Sequence, residues 1–177
     1  MRYVVSRIRL IGQGDDVALT ALQKANREFL APWEPLRPEK YFSLAGQRAD
    51  IEAALARHKN GDSVPLVILD EHGDVAGRIT LSGIVRGAFQ SCSVGYWLAK
   101  NQTGKGLATQ AVIAAVQLAF TELELDRVQA ETLPHNTRSE HVLARAGFEQ
   151  FGLAPRFLKI AGRWQDHLMF QRLNDIG

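Results

Sequence analysis

Glycines 104 and 106 constrain this chain more than any other feature. They stand in Thr103–Thr109, TGKGLAT, after an alternating run from Ser91 to Leu98 and at the start of a helical stretch that reaches Leu123. Another strand-like run, Arg127 to Leu133, follows the helix, so the chain must cross over and pair two strands in parallel. One helix face carries Leu107, Ala111, Ala114, Ala115, Leu118 and Ala119, small enough for the helix to lie close on a sheet. The turn also leaves backbone N–H groups free at the positive end of the helix dipole, which suits a phosphate or pyrophosphate, and Lys105 adds charge. Two glycines serve equally well to make a tight turn with no ligand.

The remaining elements fall around this unit. Arg2 to Ile11 alternates as a strand, Asp15 to Phe29 is helical, and prolines 32, 35 and 38 interrupt the chain before a second helix from Glu39 to Lys59. Val64 to Leu69 and Val75 to Val85 flank a turn-rich link and read as a hairpin. Asn136 to Ala146 is a helix stopped by Gly147, and Phe151 to Ile160 with Arg163 to Leu173 form a last hairpin around Ala161-Gly162. The order βααβββαβαββ describes one α/β (α+β) domain over residues 1–177 with a mixed sheet.

Composition excludes several function classes. Twenty-one Lys and Arg against nineteen Asp and Glu leave a formal charge of +2, too balanced for an electrostatic footprint on nucleic acid. The longest apolar helical stretch, Leu107 to Phe120, is shorter than the ~20 residues of a membrane span, and arginines 2, 7 and 9 deny the first ten residues a signal-peptide core. No membrane association and a cytoplasmic location are expected. The single cysteine, Cys92, lies in a strand-like run and reads as a small buried hydrophobe rather than a nucleophile. The five histidines show no metal-ligand spacing, so no metal is expected. A P-loop fails because Ala99 stands where its first glycine belongs, and the dinucleotide fingerprint fails because Thr109 stands in place of its third.

The turn resembles the phosphate turn of the GNAT superfamily of acyl-CoA transferases, Q/R-x-x-G-x-G/A, with Thr103, Gly106 and Ala108 in the three defining places. Thr103 departs from the usual Gln or Arg, which removes the side-chain part of the signature and leaves the backbone part. Three blocks narrow the likeness to ribosomal-protein-alanine N-acetyltransferases of the RimJ and RimL type, closest to RimJ. They are NREFLAPWEPLR (Asn26 to Arg37), GIVRGAFQSCSVGYWLAKNQTGKGLAT (Gly83 to Thr109), and LPHNTRSEHVLARAGFEQFG (Leu133 to Gly152) with GRWQDH (Gly162 to His167).

The resemblance implies a mixed, mostly antiparallel seven-stranded sheet flanked by about four helices, with the fourth and fifth strands splayed to admit the pantetheine arm of acetyl-CoA. It places Tyr96, Trp97, Leu98 and Lys100 along that arm and Thr103, Gly104, Lys105, Gly106, Leu107, Ala108 and Thr109 at the phosphates. Asn136 and Ser139 form its N-x-x-S motif, with Asn136 on the cofactor and Ser139 beside the leaving sulfur; Asn136 is also a natural N-cap. Glu131 is the candidate base, with Asp166 or a water chain as the rival, while Phe29, Trp33, Glu34, Arg156 and Trp164 would border the acceptor. The implied reaction is direct transfer of an acetyl group to a primary amine. The acceptor would be the N-terminal α-amine of a ribosomal or other protein, or alternatively a small-molecule amine or aminoacyl antibiotic, and the enzyme a monomer or homodimer. A non-catalytic acyl-CoA-binding module is the alternative from another class.

Overall fold

The computed structural model describes residues 4, 5 and 7–174, with side chains from Arg7 onward. Its sheet has the order β1-β2-β3-β4-β5-β6-β8-β7. The expected first strand is broken in two: Val4–Val5 (β1) turns back antiparallel on Ile8–Leu10 (β2), with Arg7 at φ 78°. Arg2, Tyr3 and Ser6 of that strand lie outside the described residues. This division makes eight strand segments out of the seven expected.

Ser63–Leu69 (β3), Val75–Val85 (β4) and Ser91–Leu98 (β5) continue the sheet antiparallel. Arg127–Thr132 (β6) then joins β5 in parallel, as the crossover demands. Glu149–Ile160 (β7) and Arg163–Leu173 (β8) close the sheet, with Ala161 and Gly162 at φ 48° and 79° in the turn.

The helices are shorter than the sequence suggests, each for a local reason. Asp16–Ala25 (α1) stops at Asn26, whose Nδ2 donates to Leu22 O at 2.9 Å, and Arg27–Leu30 (α2) restarts after it. The expected helix from Glu39 is a 3-10 turn over Glu39–Phe42; Leu44–Lys59 (α3) begins only after Ser43, which caps it by accepting from Gly46 N at 3.0 Å. Likewise Leu107–Thr121 (α4) starts past the glycine turn, because Gly104 and Gly106 adopt φ 78° and 77°. Thr137–Arg145 (α5) has Asn136 as its N-cap and Gly147 at φ 82° beyond its end.

Both faces of the sheet are covered. Val64, Leu66 and Ile68 of β3 face the core shared with Ala111, Ala115, Leu118 and Ala119 of α4, whereas Val67 faces Leu19 of α1 and Ile51 of α3. Between β5 and β6 the ladder ends early. Ser91, Cys92 and Ser93 pair with Arg127, Val128 and Gln129, and pairing stops there while β5 stays paired with β4 up to Leu98. A wedge therefore opens in mid-sheet between Val94–Leu98 and Ala130–Thr132.

Candidate active site

Two cavities open from this wedge, one toward α4 and α5 and the other toward α3. The first, about 420 Å³, is lined by Tyr96, Trp97 and Leu98 of β5, by the turn from Gln102 to Thr109, and by the inner side of α5. Gln110 N–H is the first amide bonded back along α4, to Gly106 O at 3.1 Å, so the amides of Leu107, Ala108 and Thr109 have no helical carbonyl behind them. A Cβ built on Gly104 or Gly106 meets nothing within 4 Å, which leaves room for a bulky anion against the backbone. Arg138, His141 and Arg145 of α5 line the same cavity.

The second cavity, about 450 Å³, has a sheet floor that includes Arg78, Thr80, Gly95, Glu131 and His167. Its walls are the segment from Trp33 to Arg37, Tyr41, and Asp50 and Arg57 of α3. Arg78 is held by Asp50 at 2.5 Å. Burial raises the Glu131 carboxyl above the usual glutamate range, against the opposing hydrogen bond that Ser93 Oγ donates to Oε1 at 3.0 Å. Glu34 is pushed up in the same way by burial, with Arg37 and Arg78 opposing and Asp50 adding to the shift.

Trp33, Tyr96, Trp97, Asn136 and Ser139 belong to both cavities. At this junction Tyr96 Oη and Ser139 Oγ lie 2.9 Å apart, and Ser139 N–H donates to Asn136 Oδ1 at 3.3 Å. Burial drives the Tyr96 phenol up to about 12 despite the Ser139 contact, so it stays protonated and can donate. A long ligand in the first cavity and a short one in the second would meet beside two hydroxyl groups.

An acetyltransferase (GNAT) domain model matches residues 7–149. The chain belongs to the GNAT acetyltransferase family. It is 35% identical over 163 residues to the [ribosomal protein uS5]-alanine N-acetyltransferase of Escherichia coli, covering 92% of this chain and 84% of that one. Among solved structures, RimJ of Mycobacterium smegmatis in complex with CoA-disulfide superposes with a TM-score of 0.91 at 31% identity, over 95% of this chain and 81% of that one. The ribosomal-protein-S5-alanine acetyltransferase of Vibrio fischeri gives 0.90 at 31%, over 99% and 98%.

In this GNAT chain most residues singled out from sequence converge, and some do not. Tyr96, Trp97, Leu98, Thr103, Gly104, Gly106, Leu107, Ala108, Thr109, Asn136 and Ser139 all line the first cavity. Lys100 and Lys105 do not: Lys100 N–H is tied to Asn26 Oδ1 at 2.8 Å, and Lys105 Nζ reaches Gln102 Oε1 at 3.3 Å. Trp33, Glu34 and Glu131 line the second cavity, while Phe29 lines the first.

Arg156, Trp164 and Asp166 stand exposed on the β7–β8 hairpin and line neither cavity. Asp166 accepts from the Arg156 backbone N–H at 2.8 Å across a β-bulge. The second cavity also takes in Tyr41, Asp50, Arg57, Arg78 and His167, none of which the sequence singled out. Only the alternation along β8, which puts His167 on the face of Met169, carried any signal for one of them. Cys92 is buried and its thiol is raised to about 12 by burial, as expected of a core cysteine.

Proposed function

We propose that this GNAT chain transfers the acetyl group of acetyl-CoA to the N-terminal α-amine of a protein, with an alanine-starting ribosomal protein as the acceptor class. The observation that carries the reading is the Tyr96–Ser139 junction between a cavity ending at a bare glycine turn and a cavity holding two half-buried glutamates. Acetyl-CoA supplies the activated acetyl group. The backbone amides at Leu107 to Thr109 hold its pyrophosphate, and Asn136 with the splayed half of β5 holds its arm.

The chain's own groups divide the proton work. Glu131 accepts a proton from the incoming ammonium, which burial of its carboxyl favours. Ser139, backed by the Tyr96 phenol, donates toward the departing sulfur. Thiols of pKa about 8.5 are modest leaving groups, so one hydroxyl donor is sufficient help.

Amine chemistry favours an α-amine. With a pKa of about 8 it is neutral to roughly a tenth at pH 7, against less than about one part in a thousand for a lysine of about 10.4. The relatives named for uS5-alanine acetylation point to a ribosomal acceptor. No described helix is long and apolar enough to cross a membrane.

The test is mass spectrometry of alanine-starting ribosomal N-terminal peptides after incubation with protein and acetyl-CoA. One acetyl group on the α-amine is expected. Modification confined to internal lysines, or to small amines alone, would reject the proposed acceptor.

A further inference from the structure

Among the groups that floor the acceptor cavity, His167 has no part in the mechanism above. It sits on β8, 3% exposed, and lines the cavity. Met169 pairs with Glu131 and Leu168 with Thr132, so His167 shares the sheet face of Glu131 and lies two residues further toward the open end of the wedge. A histidine buried to this degree is ordinarily satisfied at both nitrogens.

Here only one nitrogen is engaged. His167 Nδ1 lies 3.1 Å from Gln165 O, and the Phe157 ring packs at 5.7 Å. A carbonyl oxygen only accepts, so Nδ1 carries the hydrogen and Nε2 keeps its lone pair. Nε2 has no partner among the described residues, and it is not one of the sealed unpartnered atoms Gln47 Oε1, Gln90 Oε1 and Thr132 Oγ1, so it reaches open space. The space it borders is the acceptor cavity.

We infer that His167 Nε2 is a second proton acceptor for the acceptor's α-ammonium, working in parallel with Glu131. The step balances simply: one N–H bond of the ammonium breaks, its proton bonds to the Nε2 lone pair, and a neutral amine and an imidazolium result. The imidazolium then loses its proton to water through the cavity mouth. Charged groups sharing the cavity are Glu131 of β6, Arg78 of β4, Asp50 and Arg57 of α3, and Glu34 and Arg37 of the segment that precedes Tyr41. Asp50 holds Arg78, so the free carboxylates Glu34 and Glu131 remain to offset a transient imidazolium.

The inference rests on the proposed α-amine acceptor, and a double-mutant cycle separates the two. Turnover of an alanine-starting peptide by the parent tests the acceptor; ratios among variants test His167. His167→Asn keeps a donor near Nδ1 and deletes Nε2. With two parallel routes, His167→Asn and Glu131→Gln each lower kcat/KM at neutral pH by ~10-fold or less, the double variant lowers it by ~10²-fold or more, and raising the pH rescues all three. A double variant no slower than Glu131→Gln alone overturns the inference.

A second measurement uses the unmutated protein and needs no turnover. In nitrogen-15 spectra, adding the alanine-starting peptide with coenzyme A should shift the His167 Nε2 resonance, and the N-acetylated peptide should shift it much less. An Nε2 signal indifferent to both peptides also overturns the inference.

Discussion

The two cavities that meet at Tyr96 and Ser139 are made of different material. The proposed cofactor side comes largely from one continuous stretch, Tyr96 to Thr109, and what it offers at the turn is backbone: three amides without helical partners and two glycines with left-handed φ. Side chains make the proposed acceptor side, brought from α3, β4, β6 and β8 and from the segment around Trp33. A backbone site survives side-chain drift, so the proposed phosphate turn tolerates Thr103 in the place where the family pattern has Gln or Arg. A side-chain site changes with every substitution, so acceptor choice is the property free to vary on this scaffold.

The sharpest break of that contrast is at Gly106. A valine there carries two penalties, a φ of 77° that β-branched residues avoid and a side chain entering the open space beside the turn. Gly106→Val should weaken acetyl-CoA binding by ~10²-fold or more, about 2.7 kcal/mol, measured by calorimetry with circular dichroism confirming the fold. Unchanged affinity would move the phosphates elsewhere.

Ser139→Ala probes the junction. Its loss should cut kcat by ~10²-fold with acetyl-CoA affinity nearly unchanged, the signature of a contact made mainly in the transition state. A change in affinity without a change in kcat would reassign Ser139 to binding.

Glu131→Gln acts on the acceptor side and its effect depends on pH. Burial raises the Glu131 carboxyl, so as pH falls it takes up its proton earlier than an ordinary glutamate and stops accepting from the amine. The variant should run up to ~10-fold slower near neutrality and converge on the parent toward about pH 9, where solution supplies neutral amine. Equal rates throughout would leave Glu131 a strand residue held by Ser93.

How far the sequence was legible follows the same division. Strand alternation, the glycine turn and the small-residue face of α4 are local patterns, and they located the crossover, the mixed sheet and the turn that opens α4. Element ends were harder, because Ser43 capping α3 and Asn26 bonding back to Leu22 are single hydrogen bonds that periodicity does not display. Arg78 and His167 come together through the register of β4 against β5 and β6 against β8, and Asp50 reaches Arg78 from α3, so no spacing in the chain links them. Arg156 and Trp164 were misplaced for the converse reason. They lie near the cleft in the order of the chain, yet both are exposed and outside the two cavities, Arg156 within the bulge between Ala154 and Leu158 and Trp164 next to the hairpin turn.

The smallest expected effect therefore tests where the acceptor side ends. Trp164 is 55% exposed next to the hairpin turn, Arg156 is exposed at the bulge, and neither walls the cavity. With a short peptide acceptor, Trp164→Ala and Arg156→Ala should each leave kcat/KM within ~2-fold of the parent, the scale of substitutions that break no buried contact. A whole-protein acceptor makes the comparison sharper. If kcat/KM for the intact protein falls tenfold while the peptide's is unmoved, the hairpin surface docks the folded part of the acceptor, and recognition extends beyond the cavity across Phe151, Leu153 and Trp164, all exposed on the hairpin. If both acceptors are indifferent, selection rests inside the cavity, on the side chains of Glu34, Glu131 and their neighbours.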